Sequence, residues 1–131
     1  MSRIVWDDSY SVNIKEIDEQ HKHWVGIINE LHDRLIGGEG LTEIGRKSLQ
    51  AMEEYGVFHF SFEEEYMKKI GYPDLPHHTR EHKKFLEQIR SVRRDEAEGH
   101  IVLNSEIMKI LMNWLIQHIK GSDKKYSEKS S

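Results

Sequence analysis

The stretch His59-Phe60-Ser61-Phe62-Glu63 decides how the rest of the chain is interpreted. An α-helix has about 3.6 residues per turn, so side chains four positions apart lie on one face. His59 and Glu63 would therefore present an imidazole and a carboxylate side by side, and both groups can bind a metal ion. The pair alone is weak evidence, because glutamate and histidine at this spacing are usually solvent-exposed.

The residues around this pair indicate that both side chains face a protein core. A helix capped by Thr42 is predicted to continue to about Ile70, where Gly71 and Pro73 end it. Its inward-facing positions alternate steps of three and four, the pattern of a helix buried in a bundle. They are Leu49, Met52, Gly56, His59, Glu63, Tyr66 and Ile70.

The remaining sequence predicts three more helices with short connections. The first begins at about Asp18, a possible helix cap, and ends at the glycines in positions 37, 38 and 40. The third covers about residues 77–98, and the fourth is capped by Asn104 or Ser105 and closed by Gly121. Four long helices joined by short loops predict an all-α, up-down-up-down antiparallel four-helix bundle.

Both ends of the chain lie outside these helices. Residues 1–17 show no sustained helical period and are predicted to form an extended N-terminal arm laid over the domain. Residues 124–131 are polar and rich in lysine and serine, and are predicted to be a frayed tail. Without a linker or an internal repeat, the chain is predicted to be a single domain over residues 1–131.

The composition narrows the class of protein. Hydrophobic residues make up 37% and charged residues 32%, which suits a soluble helical domain. A net charge of -4 gives no reason to expect binding to nucleic acid or to an anionic membrane. The absence of cysteine excludes disulfides and thiolate metal sites, so any metal must be held by nitrogen and oxygen. No signal peptide or membrane span is recognisable, and a cytoplasmic protein is predicted.

Five histidines fall on the inner faces of the predicted helices, together with one or two carboxylates. A single inward histidine is more often a neutral ring that is hydrogen-bonded to a backbone carbonyl. Burying five without strong partners would cost several kcal/mol, whereas a metal site gives each ring a bond. The candidate ligands are His21, His59, Glu63, His78, His82, His118 and Asp123.

The number and kind of these ligands constrain the metal. They exceed what one tetrahedral zinc ion can use and suit two first-row ions with bridging carboxylates. Imidazole-rich ligation favours iron, since calcium and magnesium prefer oxygen ligands. Asp123 lies five residues after His118, about 140° further round a regular helix, and so cannot share its face. Gly121 would allow the chain to leave the helix and turn this carboxylate back toward the metals.

The order and spacing of these residues resemble those of the hemerythrin family, and of its single-domain bacterial members in particular. The resemblance covers nearly the whole chain, including Trp6 in the arm and Gln20 before the first ligand. The motifs that carry it are His21-x-x-Trp24, His59-x-x-x-Glu63, His78-x-x-x-His82 and His118-x-x-x-x-Asp123.

This resemblance implies two non-haem iron ions, cycling between Fe2+ and Fe3+, with a bridging hydroxide or oxide. It implies one iron held by His78, His82 and His118, and a second iron held by His21 and His59. Glu63 and Asp123 would bridge the two, and dioxygen would bind at the open position of the second iron. Bulky residues would keep that position dry, although each taken singly is more often an ordinary core residue. The expected oxygen pocket consists of Trp24, Phe62, Trp114, Leu115 and Ile119.

Reversible dioxygen binding for transport, storage or delivery is the leading functional prediction, without enzymatic activity. The alternatives are an oxygen or redox sensor, or a di-iron enzyme of the peroxidase, nitric oxide reductase or ferroxidase type. An oxygen-consuming enzyme is a possible recipient of the oxygen, and the protein is expected to be a monomer. The four remaining histidines are predicted to lie on the surface: His23, His32, His77 and His100.

Overall fold

The computed structural model describes residues 4–36, 43–99 and 105–130, and it contains four long helices and no strand within those ranges. The chain leaves the fourth helix through a π-helical turn, His118–Asp123, and enters a short fifth helix. The all-α fold is confirmed. Thr42, the glycines at 37, 38 and 40, His100 and Asn104 lie outside the described residues. The helices are α1 (Lys15–Ile36), α2 (Glu43–Lys69), α3 (Leu75–Ala97), α4 (Ser105–Gln117) and α5 (Lys124–Ser130).

Contacts between α2 and α3 show that these helices run in opposite directions. Glu53, in the first half of α2, forms an ion pair of 2.7 Å with Arg93 near the end of α3. Glu64, near the end of α2, contacts His82 at the start of α3, also at 2.7 Å. The end of α2 and the beginning of α3 therefore meet at one end of the bundle. Within the described ranges, no helix is long and apolar enough to cross a membrane.

A fully buried tryptophan lies at the centre of the apolar core. The indole N–H of Trp24 donates to the backbone carbonyl of Met52 at 3.0 Å, which satisfies its polar atom. Its ring lies edge-on to Phe60, at 5.2 Å between centroids, and to Phe85, at 5.8 Å. Helices α1, α2 and α3 are thereby packed against one another around one side chain.

Gly56 lies where α2 approaches Trp24 most closely. A Cβ at this position would be 3.0 Å from Cζ2 of Trp24 and 3.3 Å from Cδ2 of Leu86. Trp24 cannot retreat easily, because it is buried and hydrogen-bonded. Overpacking costs about 1–3 kcal/mol, which outweighs the gain in helix propensity of about 1 kcal/mol. We expect Gly56→Ala to lower the free energy of unfolding, measured by urea titration.

Gly26 provides the matched control, since it is exposed on α1 and an added Cβ would meet no atom within 4 Å. Gly26→Ala should raise the free energy of unfolding by up to about 1 kcal/mol through helix propensity alone. Equal stabilities of the two variants would mean that Trp24 can shift, and would contradict the packing argument.

The first helix begins three residues earlier than predicted, at Lys15, so the arm before it ends at residue 14. Asp18 consequently lies in the first turn of α1 and is not the residue before it. Its carboxylate accepts hydrogen bonds from the backbone N–H of Val12, at 2.8 Å, and from the hydroxyl of Ser11, at 2.5 Å. Asp18 therefore ties the arm to the helix, which is a different role from the predicted cap.

The prediction of a frayed C-terminal tail is wrong. Gly121 does not close the fourth helix, because the π turn carries the chain directly into α5. Tyr126 of α5 is fully buried, and its ring lies 5.8 Å from that of Tyr66 and 5.7 Å from that of His78. One aromatic residue in an otherwise polar segment thus anchors the tail to the same end of the bundle.

Candidate metal centre

Seven buried side chains from α1, α2, α3 and the π turn meet at one end of the bundle. They form two overlapping groups, and within each group one nitrogen or oxygen per residue lies within 4.8 Å of all the others. Glu63 and Asp123 belong to both groups. The first group adds His78, His82 and His118, and the second adds His21 and His59. The structure thus brings together all seven residues that the sequence singled out.

Helix geometry explains how α2 and α3 contribute their residues to the cluster. His59 and Glu63 lie one turn apart on α2, and His78 and His82 lie one turn apart on α3, so each pair projects from one helix face. Since the start of α1 and the end of α4 reach the same cluster, neighbouring helices alternate in direction around the bundle.

The π turn explains how Asp123 joins His118. In a π-helix the hydrogen bonds span five residues and not four, so residues five apart come close to alignment. His118–Asp123 is this single turn, and both side chains are buried. The sequence prediction required the chain to leave the helix at Gly121. The structure achieves the same alignment while the backbone stays helical.

The two shared carboxylates lie between the histidine groups. Asp123 places Oδ1 3.0 Å from Nε2 of both His78 and His118, and places Oδ2 3.1 Å from Nε2 of His21. Glu63 places Oε1 against Nε2 of His59 and 3.6 Å from Nε2 of His21. Its Oε2 lies 3.9 Å from Nε2 of His78. Each carboxylate therefore faces histidines of both groups, as a bridging ligand must.

Many of these close contacts are not hydrogen bonds. Among the described residues, Nε2 of His21 and His59, Oε1 of Glu63 and both oxygens of Asp123 have no hydrogen-bond partner, although they are buried. Buried polar atoms are normally paired, and atoms that converge without hydrogen-bonding one another are arranged as ligands are around an ion. Imidazole nitrogens with carboxylate oxygens suit first-row transition metals. The residues therefore fit a two-metal centre.

The pKa shifts in the metal-free cluster also fit a two-metal centre. Burial alone would lower the pKa of His118, but the nearby carboxylates of Asp123 and Glu81 outweigh it and raise the pKa to about 10. The pKa of His21 likewise rises to about 9, because Asp123 and Glu63 outweigh burial. Burial would raise the pKa of Asp123, yet the facing histidines hold it well below its ordinary value. Without metal, the cluster keeps anionic carboxylates and holds protons where cations would sit.

Tyr126 is a site residue that the sequence analysis missed. Its hydroxyl donates to Oε2 of Glu63 at 2.9 Å, in a fully buried contact. Burial raises the pKa of Tyr126, so that the phenol stays a neutral donor. This bond leaves the other oxygen of Glu63 facing the histidines. The predicted tail concealed it, since a frayed segment would contribute nothing to a core.

The predicted pocket residues are only partly where they were expected. Trp24, Leu115 and Ile119 are buried, and Trp24 lies 5.6 Å from the ring of His59. Trp114 is half-buried and stacks on the ring of His118 at 4.5 Å between centroids. Trp24 and Trp114 therefore pack against histidines of the cluster, and Leu115 and Ile119 belong to the same apolar core as Trp24.

Phe62 does not belong to this packing, because it is 37% exposed on the outer face of α2. Phe60 takes the place at the cluster, stacked on His82 at 3.8 Å and lying 5.9 Å from His59. Phe60 and Phe62 are equally far from the His59 and Glu63 pair in helical angle. Only the side on which the neighbouring helices pack distinguishes them, and the spacing of ligands does not reveal it.

The other histidines divide between surface and core. His23 and His77 are exposed, as predicted. His32 is 1% exposed, so its predicted surface position is wrong. It follows Ile28 by four residues and Leu31 by one, which places it on the apolar side of α1. Its nearest carboxylate, that of Asp33, is 3.7 Å away, and the residue takes no part in the cluster.

Comparisons with known proteins agree with this geometry. The family model described as the hemerythrin HHE cation binding domain matches residues 12–129. Bacteriohemerythrin of Stenotrophomonas maltophilia is 31% identical, over 98% of this chain and 82% of that protein. Bacteriohemerythrin of Methylococcus capsulatus is 33% identical, over 96% and 95%. Myohemerythrin of Theromyzon tessulatum is 34% identical, over 95% and 91%. A crystal structure of wild-type hemerythrin superposes with a TM-score of 0.86 at 29% identity, covering 95% of both chains.

Proposed function

Because the chain belongs to the hemerythrin family, we propose that it binds dioxygen reversibly at a non-haem di-iron centre. In this proposal the protein is a carrier, store or delivery protein and not an enzyme. His78, His82 and His118 would hold one iron ion, and His21 and His59 the other. Glu63 and Asp123 would be shared between them, together with a hydroxide or oxide. When bound, the iron pair would supply two electrons that dioxygen can accept and return.

The unequal division of histidines is the observation that carries the proposal. Three histidines belong to one group and two to the other, while the same two carboxylates serve both. The two-histidine group thus has one protein ligand fewer, which leaves room for a small external ligand on that side. A purely structural metal site would be expected to fill its coordination sphere with protein ligands.

The apolar side chains around the cluster favour reversible binding over irreversible oxidation. Trp24, Phe60, Leu115 and Ile119 are at most 2% exposed. The only polar atom in these four side chains is the indole nitrogen of Trp24, and its N–H already donates to the carbonyl of Met52. Excluding water limits the proton supply that would otherwise assist release of reduced oxygen.

Tyr126 helps to orient Glu63. Its hydroxyl holds one carboxylate oxygen of Glu63, so that the other carboxylate oxygen keeps its orientation.

An optical titration of iron-loaded, reduced protein tests the proposal. We expect a colourless ferrous form to gain an absorption band when oxygen is admitted and to lose it when oxygen is removed. The His59→Ala variant should lose the band, whereas His23→Ala, which changes an exposed histidine outside the cluster, should keep it. Rapid irreversible conversion to the ferric form would favour a sensor or an enzyme. No iron-dependent band would exclude the di-iron centre.

Leu115 is expected to keep water from the site. It is fully buried in the apolar core and lies three residues before His118, about 60° from it round an ideal helix. We expect Leu115→Ala to raise the rate of autoxidation several-fold, because the new cavity admits water beside the site. The rate is measured from the decay of the oxygenated band in air.

Leu49→Ala is the matched control for Leu115→Ala. Leu49 is equally buried on α2 but precedes His59 by ten residues, about 15 Å along the helix. Both substitutions should cost about 2–5 kcal/mol of stability, and only the one beside the cluster should speed autoxidation. Equal autoxidation rates in the two variants would remove Leu115 from this role.

Three finer points belong to the same proposal. The protein delivers its oxygen to an oxygen-consuming enzyme, it is cytoplasmic, and it acts as a monomer. Sedimentation velocity at increasing concentration tests the monomer. Phe58 and Phe62, the exposed aromatic residues of α2, are the first to substitute if a dimer is found.

A further inference from the structure

Three of the five clustered histidines contact an outer side chain through the ring nitrogen that faces away from the cluster. Nδ1 of His82 lies 2.7 Å from Oε2 of Glu64, and Nδ1 of His118 lies 3.1 Å from Oε2 of Glu81. Nδ1 of His59 lies 2.7 Å from Oε1 of Gln20. In each case the opposite nitrogen, Nε2, points into the cluster.

These contacts determine which nitrogen of each ring carries hydrogen. A carboxylate at neutral pH is only a hydrogen-bond acceptor, so an imidazole that contacts Glu64 or Glu81 through Nδ1 donates from that nitrogen. When the ring is neutral, Nε2 then has a free lone pair directed at the cluster. The amide oxygen of Gln20 acts in the same way on His59, but without a negative charge.

The charged partners are not evenly distributed between the two groups of ligands. Glu64 and Glu81 both support histidines of the three-histidine group. In the two-histidine group, Gln20 supports His59, and Nδ1 of His21 has no hydrogen-bond partner among the described residues. An anionic partner makes an imidazole a more basic ligand than a neutral partner does. One half of the site thus receives two outer negative charges, and the other half receives none from these contacts.

Aromatic rings also fix the ring planes of His82 and His118 by stacking on them. Phe60 stacks on His82 with an interplanar angle of 6°, and Trp114 stacks on His118 with an angle of 11°. Glu81 is itself held by the hydroxyl of Ser122, at 2.7 Å. Because stacking already fixes the ring planes, replacing a carboxylate by an amide should change the charge and leave the ring in place.

We propose that Glu64 and Glu81 are positioning residues that make the three-histidine half of the site the more basic and tighter-binding half, while Gln20 adds no negative charge to the other half. This inference deepens the proposed di-iron function. It predicts an intrinsic difference between the two metal positions that arises from outer partners and adds to the difference in ligand number. The half with the open position would be the one that more readily accepts electrons.

Charge-changing substitutions of equal size test this proposal in both directions. Glu64→Gln and Glu81→Gln remove an outer charge from one half, and Gln20→Glu adds one to the other half. Glu65→Gln is the control for a change in net charge, because Glu65 is exposed on α2 one residue after Glu64 and its substitution changes the net charge by as much as either single substitution. The probes are stepwise Zn2+ binding against a competing chelator and the midpoint reduction potential of the iron-loaded protein.

We expect the Glu64→Gln/Glu81→Gln variant to weaken one Zn2+ binding step by about 10–100-fold and to raise the reduction potential. Gln20→Glu should strengthen the other binding step and lower the potential, and Glu65→Gln should change neither. Unchanged Zn2+ affinity in the double variant would overturn the proposal. So would a shift of the potential in the same direction for Gln20→Glu as for the double variant. If the two glutamates had a purely structural role, their substitution would lower the melting temperature. The reduction potential would then not shift in opposite directions in the double variant and in Gln20→Glu.

The Zn2+ measurement does not depend on iron or oxygen. If the oxygen titration fails but the binding steps respond as expected, the proposed function falls and the role of Glu64 and Glu81 stands. A reversible oxygen band with unresponsive binding steps would support the proposed function and overturn the role of the two glutamates. Imidazole 15N spectra of the metal-free protein add a further check: hydrogen on Nε2 of His82 in place of Nδ1 would contradict the assigned hydrogen bond.

Discussion

Replacing Asp123 by alanine is expected to weaken both metal-binding steps, since its carboxylate faces both groups of histidines. Oδ1 lies 3.0 Å from His78 and from His118, and Oδ2 lies 3.1 Å from His21. Loss of even an outer partner of a metal ligand costs about 10–100-fold in affinity, so loss of a ligand should cost at least about 100-fold in each step. Stepwise titration with Zn2+ against a chelator measures both.

His82→Ala is the matched control, because His82 belongs to only one of the two groups. It should weaken one binding step and leave the other near its original affinity. Both variants should keep the circular dichroism of the helical bundle, which shows that folding is not the cause. If Asp123→Ala also weakened only one step, Asp123 would be a terminal ligand of one ion and not a bridge.

The fold and the convergence of the seven candidate ligands are the features that could be predicted from the sequence. A helix that is half apolar must turn that half inward, so the positions of Leu49, Met52 and Gly56 already indicate where His59 and Glu63 point. The same reasoning applies to the histidines on the other predicted helices. Ionisable residues on an apolar face are rare enough that several together identify a site.

Features that depend on packing between distant parts of the chain could not be predicted from the sequence. A π turn differs from an α turn by one residue, and no local signal in His118–Asp123 distinguishes a π turn from the end of a helix. The burial of Tyr126 follows from that turn, so its hydrogen bond to Glu63 was hidden as well. The choice of Phe60 over Phe62 depends on where α3 and α4 lie, which the α2 sequence does not contain.

The outer partners of the histidines could be predicted from the sequence only in part. Gln20 and Glu64 directly adjoin the candidate ligands His21 and Glu63 in sequence, and yet each contacts a histidine on another helix. Adjacent residues on a helix diverge by about 100°, so a neighbour of a ligand cannot share its face and is free to reach across to the next helix. Their identities are visible in the sequence, and their partners appear only in the assembled bundle.

The overall affinity for two metal ions is expected to rise steeply with pH, by at least about 100-fold per pH unit between about pH 6.5 and 8. In the metal-free protein the pKa of His21 is raised to about 9 and that of His118 to about 10, so both rings are protonated in this range. A histidine must lose its proton before it binds a metal ion. Filling both sites therefore releases these two protons, and each one contributes a tenfold change per pH unit. Zn2+ titrations in buffers of different ionisation enthalpy count these protons directly.

The same two histidines predict the opposite trend for the stability of the metal-free protein. A pKa raised from 6.5 contributes stability that is complete below pH 6.5 and is lost as the pH rises through about 9 and 10. The metal-free protein should therefore unfold more easily in urea at pH 9 than at pH 6.5, while its metal affinity increases. His23→Gln, which alters an exposed histidine outside the cluster, should leave both trends unchanged. Release of one proton or none, or a metal-free stability that does not fall, would mean that the carboxylates do not hold these protons. Protons and metal ions would then not compete for the ring nitrogens of His21 and His118, and the electrostatic account of the cluster would be wrong.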